Sequence, residues 1–323
     1  MIISRTPFRI SFAGGGSDIK EYYQKQIGAV LSVTIDKYMY LSMHPLFGGK
    51  NFFLKYSKNE VVEDISQISH PIIREIFSDY KLSGIDFNSS ADIPSGTGLG
   101  SSSAFAVGLI NLCNAYVNRF MFKEQIAHYA CETEIHRLRE PIGKQDQYAC
   151  AIGGLNFIEF HPDDSVCVEK IHLSEDKTKE LEESLMLFYL GTSRSASSIL
   201  TEQKRNTSEN INNFKMIEKM VELSYVLKQG LNNNQIDNFG HILHEGWCYK
   251  RNLASKITNK DIDSFYNLAL KNGAEGGKLL GAGGGGFLLF YTKKGKQNDV
   301  RNALKNLYEV KFSFDHSGTT IIY

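Results

Sequence analysis

Ile93-Pro-Ser-Gly-Thr-Gly-Leu-Gly-Ser-Ser-Ser-Ala104 decides how this chain is read, and the apolar run Phe105-Ala-Val-Gly-Leu-Ile-Asn-Leu112 follows it directly. Glycine lets a backbone turn tightly and leaves its N–H groups uncovered. The Ala-rich, apolar continuation predicts a helix, so the loop empties onto a helix N-terminus. Free N–H groups and the positive end of the helix dipole favour an anion there. The hydroxyls of Ser101, Ser102 and Ser103 add contacts for a phosphate or a metal ion. No Lys follows the glycines, so this is not the G-x-x-x-x-G-K-[ST] loop. Alone, a Gly/Ser cluster before a helix is more often a capped turn, and the rest of the chain must decide.

The 323 residues suit one large domain or two moderate ones. Lys and Arg total 36 against 36 Asp and Glu, so no global field recruits nucleic acid or an anionic membrane. Met1-Ile-Ile-Ser-Arg-Thr-Pro7 lacks the pattern of a signal peptide, and Leu279 to Tyr291 is too short and Gly-rich to span a bilayer. Cys113, Cys131, Cys150, Cys167 and Cys248 show no C-x-x-C spacing and read as thiols of a reducing compartment. The nine His form no metal motif. The expectation is a soluble, cytoplasmic protein without structural zinc.

Alternation and β-branched residues predict strands at Ile2 to Ala13, Val30 to Met43, Asn51 to Tyr56 and Ile85 to Ala91, with polar Asp36-Lys37 interrupting the second. Helices are expected over Ser101 to Val117 and Lys123 to Arg139, and strand character over Ala149 to Phe160. His161-Pro-Asp-Asp-Ser165 reads as a turn, and the polar stretch Ser174 to Glu183 places a boundary near residue 180, giving domains 1–180 and 181–323. Beyond it come a strand at Leu185 to Leu190 and one long helix from Ile199 to Gly230. Further helices are expected at Gln235 to Cys248, Asp261 to Asn272 and Gln297 to Tyr308. Leu279 to Tyr291 reads as a Gly-interrupted strand region, and strands at Val310 to Phe314 and Thr319 to Tyr323 close the chain. The order suggests an α+β architecture, with helices covering one face of an antiparallel sheet.

Two more segments stand out: Pro7-Phe-Arg-Ile-Ser-Phe-Ala-Gly-Gly-Gly-Ser-Asp18 and Gly276-Gly-Lys-Leu-Leu-Gly-Ala-Gly-Gly-Gly-Gly-Phe287. Each alone is a weak signal, and Asp18 could simply cap a helix. Their order and spacing around the central loop resemble the galactokinase, homoserine kinase, mevalonate kinase and phosphomevalonate kinase superfamily (the GHMP kinases) over essentially the full length. The resemblance implies a two-domain α+β fold with the active site in the cleft between domains. Its N-terminal domain would be ribosomal-protein-S5-like and its C-terminal domain a ferredoxin-like α/β sandwich. It also implies ATP and Mg²⁺. Pro94, Gly96, Gly98, Leu99, Gly100, Ser101, Ser102 and Ser103 would wrap the phosphates, and Ser102 with a Glu of the following helix would hold the metal. Glu134, twelve residues before Asp146, matches the family spacing, with Glu132 as the neighbouring candidate. Asp146, after Gly143-Lys144-Gln145, matches the catalytic Asp, whose bland alternative is a capping residue.

Phosphoryl transfer asks mainly for positioning and charge neutralisation. Asp146 would accept or orient the proton of an acceptor hydroxyl. A cation must sit beside it to offset charge on the γ-phosphate. Arg9 matches the family's cation, and Lys144 is a second local source. Where galactokinases carry Gly-Glu-His-x-Asp, this chain has Gly14-Gly15-Gly16-Ser17-Asp18, which argues against galactose while leaving Asp18 for sugar hydroxyls.

Several segments look closer to the D-glycero-D-manno-heptose 7-phosphate kinases and fucokinase-like sugar 1-kinases, among them Gly143-Lys-Gln-Asp-Gln-Tyr-Ala149, Thr192-Ser-Arg-Ser-Ala-Ser197 and Trp247-x-x-Lys250. The resemblance implies phosphorylation of the anomeric hydroxyl of a heptose 7-phosphate, in the making of lipopolysaccharide or capsule precursors. Gly15, Gly16, Ser17, Asp18, Gly284 and Gly285 are candidates for the sugar. Arg194 with Ser193 and Ser195, and with Lys250 or Arg251 as further candidates, would read its phosphate. Trp247 reads as a core aromatic rather than a stacking platform. The expected partners are ATP and a sugar phosphate, with a homodimer as an open option. The rivals are a kinase for an unphosphorylated sugar, a non-catalytic ATP and sugar sensor on the same fold, and a decarboxylase of a phosphorylated mevalonate.

Overall fold

The computed structural model describes residues 1–191 and 197–323. In chain order its strands are β1 (Ile2–Ala13), β2 (Gly28–Pro45), β3 (Phe52–Lys55), β4 (Asn59–Val62), β5 (Ile85–Ala91), β6 (Leu155–Phe160), β7 (Val166–Lys170), β8 (Leu185–Tyr189), β9 (Ala274–Leu279), β10 (Phe287–Thr292), β11 (Tyr308–Val310), β12 (Phe314–Asp315) and β13 (Thr320–Ile321). Two sheets organise them. β2 is the spine of the first, pairing with β1 along one edge and with β6, β12 and β5 in turn along the other. The polar Asp36-Lys37 pair is a bulge: Phe8 faces Ile35 and Pro7 faces Tyr38, so two residues of β2 have no partner and the strand changes direction. The second sheet is antiparallel, in the order β11-β8-β10-β9.

The Ser101–Tyr116 helix lies on β1 and β2 and is buried almost all round, as expected for a helix apolar on every face. Gly108 brings it close, since a Cβ there would stand 2.8 Å from Thr6 Oγ1. The second half of β1 does not alternate. From Thr6 to Ala13 every residue is buried, because the helix covers one face and the second half of the molecule covers the other. That is how polar Arg9 and Ser11 come to lie inside.

Several elements differ from their sequence reading. The helix expected over Lys123 to Arg139 is an α-helix only at Lys123–Cys131 and continues as a π-helical turn over Glu132–Arg137, a distortion that often marks functional sites. The long helix breaks into Ser197–Glu209 and Ile211–Asn232, because Asn210 adopts an extended backbone and caps the second piece through Asn212 N. Leu279 to Tyr291 resolves into β9, a glycine turn and β10. Ala149 to Phe160 holds the end of a helix, Gln145–Ile152, before β6. The Pro71–Asp79 helix, with Pro at its favoured first position, is an addition to the sequence reading. The chain end also crosses the expected 181–323 division, since β12 and β13 return to the first sheet beside β2 and β1.

Trp247, on the Phe239–Lys250 helix, is fully buried and packs 6.0 Å from the Tyr266 ring. Its replacement by Ala should cost about 3–5 kcal/mol of stability, read by urea unfolding followed by circular dichroism. A loss under about 1 kcal/mol would mean that the core refills the space.

Candidate active site

Gly96, Gly98 and Gly100 have φ of 72°, 87° and 77°, while Thr97 and Leu99 between them keep negative φ. Alternation of this kind turns successive N–H groups toward one concave side, an anion-binding nest. Gly100 is the N-cap of the Ser101–Tyr116 helix, so the nest runs into a helix N-terminus. A second reason for glycine is contact. A Cβ on Gly98 would lie 2.6 Å from Leu280 O, one on Gly281 2.3 Å from Gly98 Cα, and one on Gly286 2.3 Å from Thr97 O. The loop and the β9–β10 turn therefore meet backbone to backbone, and no other residue fits at these positions.

Arg9 joins this contact to the reacting end. From β1 its Nε and Nη2 donate to Asp146 Oδ1 and Oδ2, each at 2.8 Å, and its Nη1 donates to Gly98 O at 2.7 Å. Two parallel bonds fix both planes, which gives the carboxylate one orientation. Asp146 sits in the first turn of the Gln145–Ile152 helix and keeps partial access to the cavity. Asp18 lies nearby, its Oδ1 accepting from Gly16 N at 3.1 Å and its Oδ2 from Gln145 N at 3.2 Å. Burial, and then the charge of Asp146, push the Asp18 carboxyl above its ordinary range.

Between the two candidate metal ligands the buried face of the helix, Ile126, Ala127, Ala130 and Cys131, makes the choice. Glu134 points inward, fully buried, and accepts from Ser102 Oγ and Gln147 Nε2, both at 2.7 Å. Burial raises it to about 7, against the lowering effect of its hydrogen bonds. Glu132 points outward, 3.6 Å from His136.

Arg9, Asp146, Asp18, Gly15, Gly16 and Gly285 line one cavity of about 650 Å³ together with Pro94, Gly96, Gly98, Gly100 and Ser101 to Ser103. Gln145, Gln203 and Lys250 join them, and the same cavity reaches Met39, Ile72, Ile93 and Phe105, with His70 stacked 4.9 Å from the Phe105 ring. Sequence reasoning passed over Gln145 and Gln203. The only hint for Gln203 is Gly16, where a Cβ would stand 2.5 Å from Gln203 Nε2.

Other expected residues lie elsewhere. Lys144 turns away from Asp146: its Nζ donates to Asp164 Oδ1 at 2.5 Å and Asp164 O at 3.0 Å, over the Tyr23 ring. Its backbone N is already committed to Asp18 O, which points the side chain outward from the cleft. Ser17 Oγ donates to Ala29 O, Leu99 is core with its carbonyl on Arg9 N, and Gly284 N donates to Ile257 O. These three support the wall and are not on it. Ser193, Arg194 and Ser195 lie outside the described residues.

Residues 65–154 match the family described as GHMP kinases N terminal domain, and residues 227–310 match GHMP kinases C terminal. A Campylobacter jejuni protein named D-glycero-alpha-D-manno-heptose 7-phosphate kinase is 30% identical, over 98% of this chain and 97% of its own. The chain belongs to the GHMP kinase family. A solved structure described as a D-glycero-D-manno-heptose 1-phosphate kinase from Bacteroides thetaiotaomicron has a TM-score of 0.82 at 25% identity, covering 100% of this chain and 99% of that one. A galactokinase of Pyrococcus furiosus is 27% identical over 73% of this chain and 72% of its own. GHMP kinases use ATP as phosphate donor. Among the described residues no helix is long and apolar enough to cross a membrane.

As a GHMP kinase the protein offers a direct check on Lys144. Lys144→Met should lower stability by about 1–2 kcal/mol through the lost charged hydrogen bonds and leave kcat within about threefold of wild type. A hundredfold fall in kcat with an unchanged unfolding midpoint would return Lys144 to the chemistry.

Proposed function

We propose that this protein is an ATP- and Mg²⁺-dependent sugar kinase that phosphorylates the anomeric hydroxyl of a heptose 7-phosphate and releases the 1,7-bisphosphate. The observation that carries the reading is the bidentate Arg9–Asp146 pair, set in one cavity between the phosphate-binding loop and Asp18. The names of the heptose kinases above support the sugar. Their names place its phosphate differently, and the more similar of the two sequences is the 7-phosphate enzyme.

The triphosphate rests on the N–H groups of residues 96–100 and the helix N-terminus, with the base against Met39, Ile72, Ile93 and Phe105. Asp18, with Gly15 and Gly16, receives the sugar hydroxyls. The acceptor oxygen bonds to the γ-phosphorus, the bond from phosphorus to the β,γ-bridging oxygen breaks, and ADP leaves with that electron pair. Asp146 takes the hydroxyl proton, and Arg9 holds Asp146 facing the acceptor while its charge offsets that of the phosphates.

Glu134 and Ser102 fit a hard divalent cation: a fully buried carboxyl with no cationic side chain on it among the described residues, beside a hydroxyl on the cavity wall. Among the described residues no group of three or more His, Cys, Asp or Glu forms a metal cage. Mg²⁺ needs none, since it is held by one or two carboxylates with substrate phosphates. When bound, it neutralises charge on the phosphates. Arg194, with Ser193, is proposed to read the distal phosphate of the sugar.

A panel of hexoses, heptoses and their phosphates with Mg-ATP tests the whole reading. Steady ADP release should be fastest with a heptose 7-phosphate, with ³¹P NMR showing a new anomeric phosphate. Equal turnover of galactose or fucose would replace that substrate, and binding without ADP release would make the protein a sensor. Asp146→Asn should reduce kcat by about 10²–10⁴-fold while ADP affinity stays near wild type, and normal turnover would remove Asp146 from the mechanism. Arg194→Ala should raise KM for the sugar phosphate about tenfold or more, and an unchanged KM would remove Arg194 from the site.

A further inference from the structure

Lys250 ends the Phe239–Lys250 helix with its ammonium inside the protein, on the wall of the cleft. Among the described residues it forms no ion pair: its Nζ donates to the carbonyl oxygens of Leu279, at 3.3 Å, and Gly281. Lys278 on β9 is deeper still and donates to Phe12 O at 2.9 Å. Arg9, the third cation here, is committed to Asp146 and Gly98 O. Among the described residues neither buried lysine has a carboxylate within ion-pair distance. A buried charge held only by carbonyl dipoles is costly, and the cost falls when an anion is brought to it. Burial first, and Arg9 next, bring Lys250 down to about 8, and burial, then the charge of Lys250, holds Lys278 well below the ordinary lysine range.

Position identifies the anion. Gly281, whose carbonyl holds Lys250, touches Gly98, and the Gly98 carbonyl holds Arg9 on the other side. Lys250 and Arg9 therefore grip the two sides of one backbone contact, between the phosphate-binding loop and the β9–β10 turn. Asp146 is bonded to Arg9 and is among the charges that act on Lys250. An anion lying between these groups is the end of the triphosphate nearest the acceptor, rather than a phosphate at the far end of the sugar.

We propose that Lys250 is a second cation of phosphoryl transfer: its ammonium leaves the Leu279 and Gly281 carbonyls for oxygens of the transferring phosphoryl group, opposite Arg9. The inference rests on the kinase reading and deepens it. Lys250 keeps its proton throughout, and the bonds made and broken are those given above. Among the described residues four charged groups face it from separate elements: Arg9 on β1, Asp18 after β1, Asp146 on its helix and Lys278 on β9. The two aspartates favour the charged ammonium, whereas Arg9 and burial oppose it. Because the charged form is the active one, kcat/KM for ATP falls as pH rises through about 8.

Steady-state kinetics of Lys250→Met and Lys250→Arg, with ADP affinity measured by calorimetry, test this. The Met variant should lose about 10²–10³-fold in kcat, with ADP affinity and the KM of the sugar phosphate within about threefold of wild type. The Arg variant should retain more activity and lose the alkaline limb near pH 8. An unchanged kcat in the Met variant overturns the proposal, and so does a loss confined to the KM of the sugar phosphate, which would place Lys250 on the substrate's own phosphate. If the Met variant fails to fold, the Arg variant decides, and an alkaline limb identical to wild type counts against Lys250. Wild-type protein that releases no ADP with any sugar or sugar phosphate would instead bring down the kinase reading, and this inference with it.

Discussion

The site depends on one contact between two strips of bare backbone. Gly98 and Thr97 of the phosphate-binding loop lie against Leu280, Gly281 and Gly286 of the β9–β10 turn, closer than any Cβ would allow. The contact joins the loop before the Ser101–Tyr116 helix to the β9–β10 turn on one wall of the cleft. It also orders the charges, since the carbonyls of Gly98 and Gly281 hold Arg9 and Lys250 on its two faces. The glycines of two motifs nearly 200 residues apart thus answer to one constraint. In each motif, glycine serves both the left-handed backbone conformation and the close approach.

That double duty explains what was legible in the sequence. Left-handed turns before a helix leave a local signature, so the loop at 93–104 announces itself, as do Arg9 on a hydrophobic strand and Asp146 in a short loop after helices. The domain architecture was legible through motif order rather than periodicity. Side-chain direction was harder. Lys144 is two residues from Asp146, yet its backbone N–H is held by Asp18 O and its side chain turns to Asp164. Glu132 and Glu134 differ by two positions and so lie on opposite sides of the helix: Glu134 continues the buried face of Ile126, Ala127, Ala130 and Cys131 and meets Ser102, while Glu132 turns away. The break at Asn210 follows nine polar residues, Thr201 to Glu209, which carry no hydrophobic period whose interruption would mark it. Gln203 and the residues around His70 carry no motif at all. They reach the cavity from elements far apart in the chain, through tertiary packing.

The buried ionisable groups around the cleft show a common tendency. Burial raises the carboxyls of Asp18 and Glu134 and lowers the ammonium groups of Lys250 and Lys278, so every one of them is pushed toward its neutral form. Carboxylates and ammonium groups placed in direct contact would cancel this by pairing. Here the lysines are anchored on carbonyls and Glu134 on a hydroxyl and an amide, so pairing within the protein does not satisfy them. Arg9 and Asp146 are the exception, a complete ion pair with fixed geometry. The division of labour follows: the paired groups orient the chemistry, while the unpaired ones hold charge capacity that a polyanionic substrate with its cation would draw on. Binding energy from the phosphates is thereby directed to restoring charge at the reacting end, where it opposes the growth of negative charge during transfer.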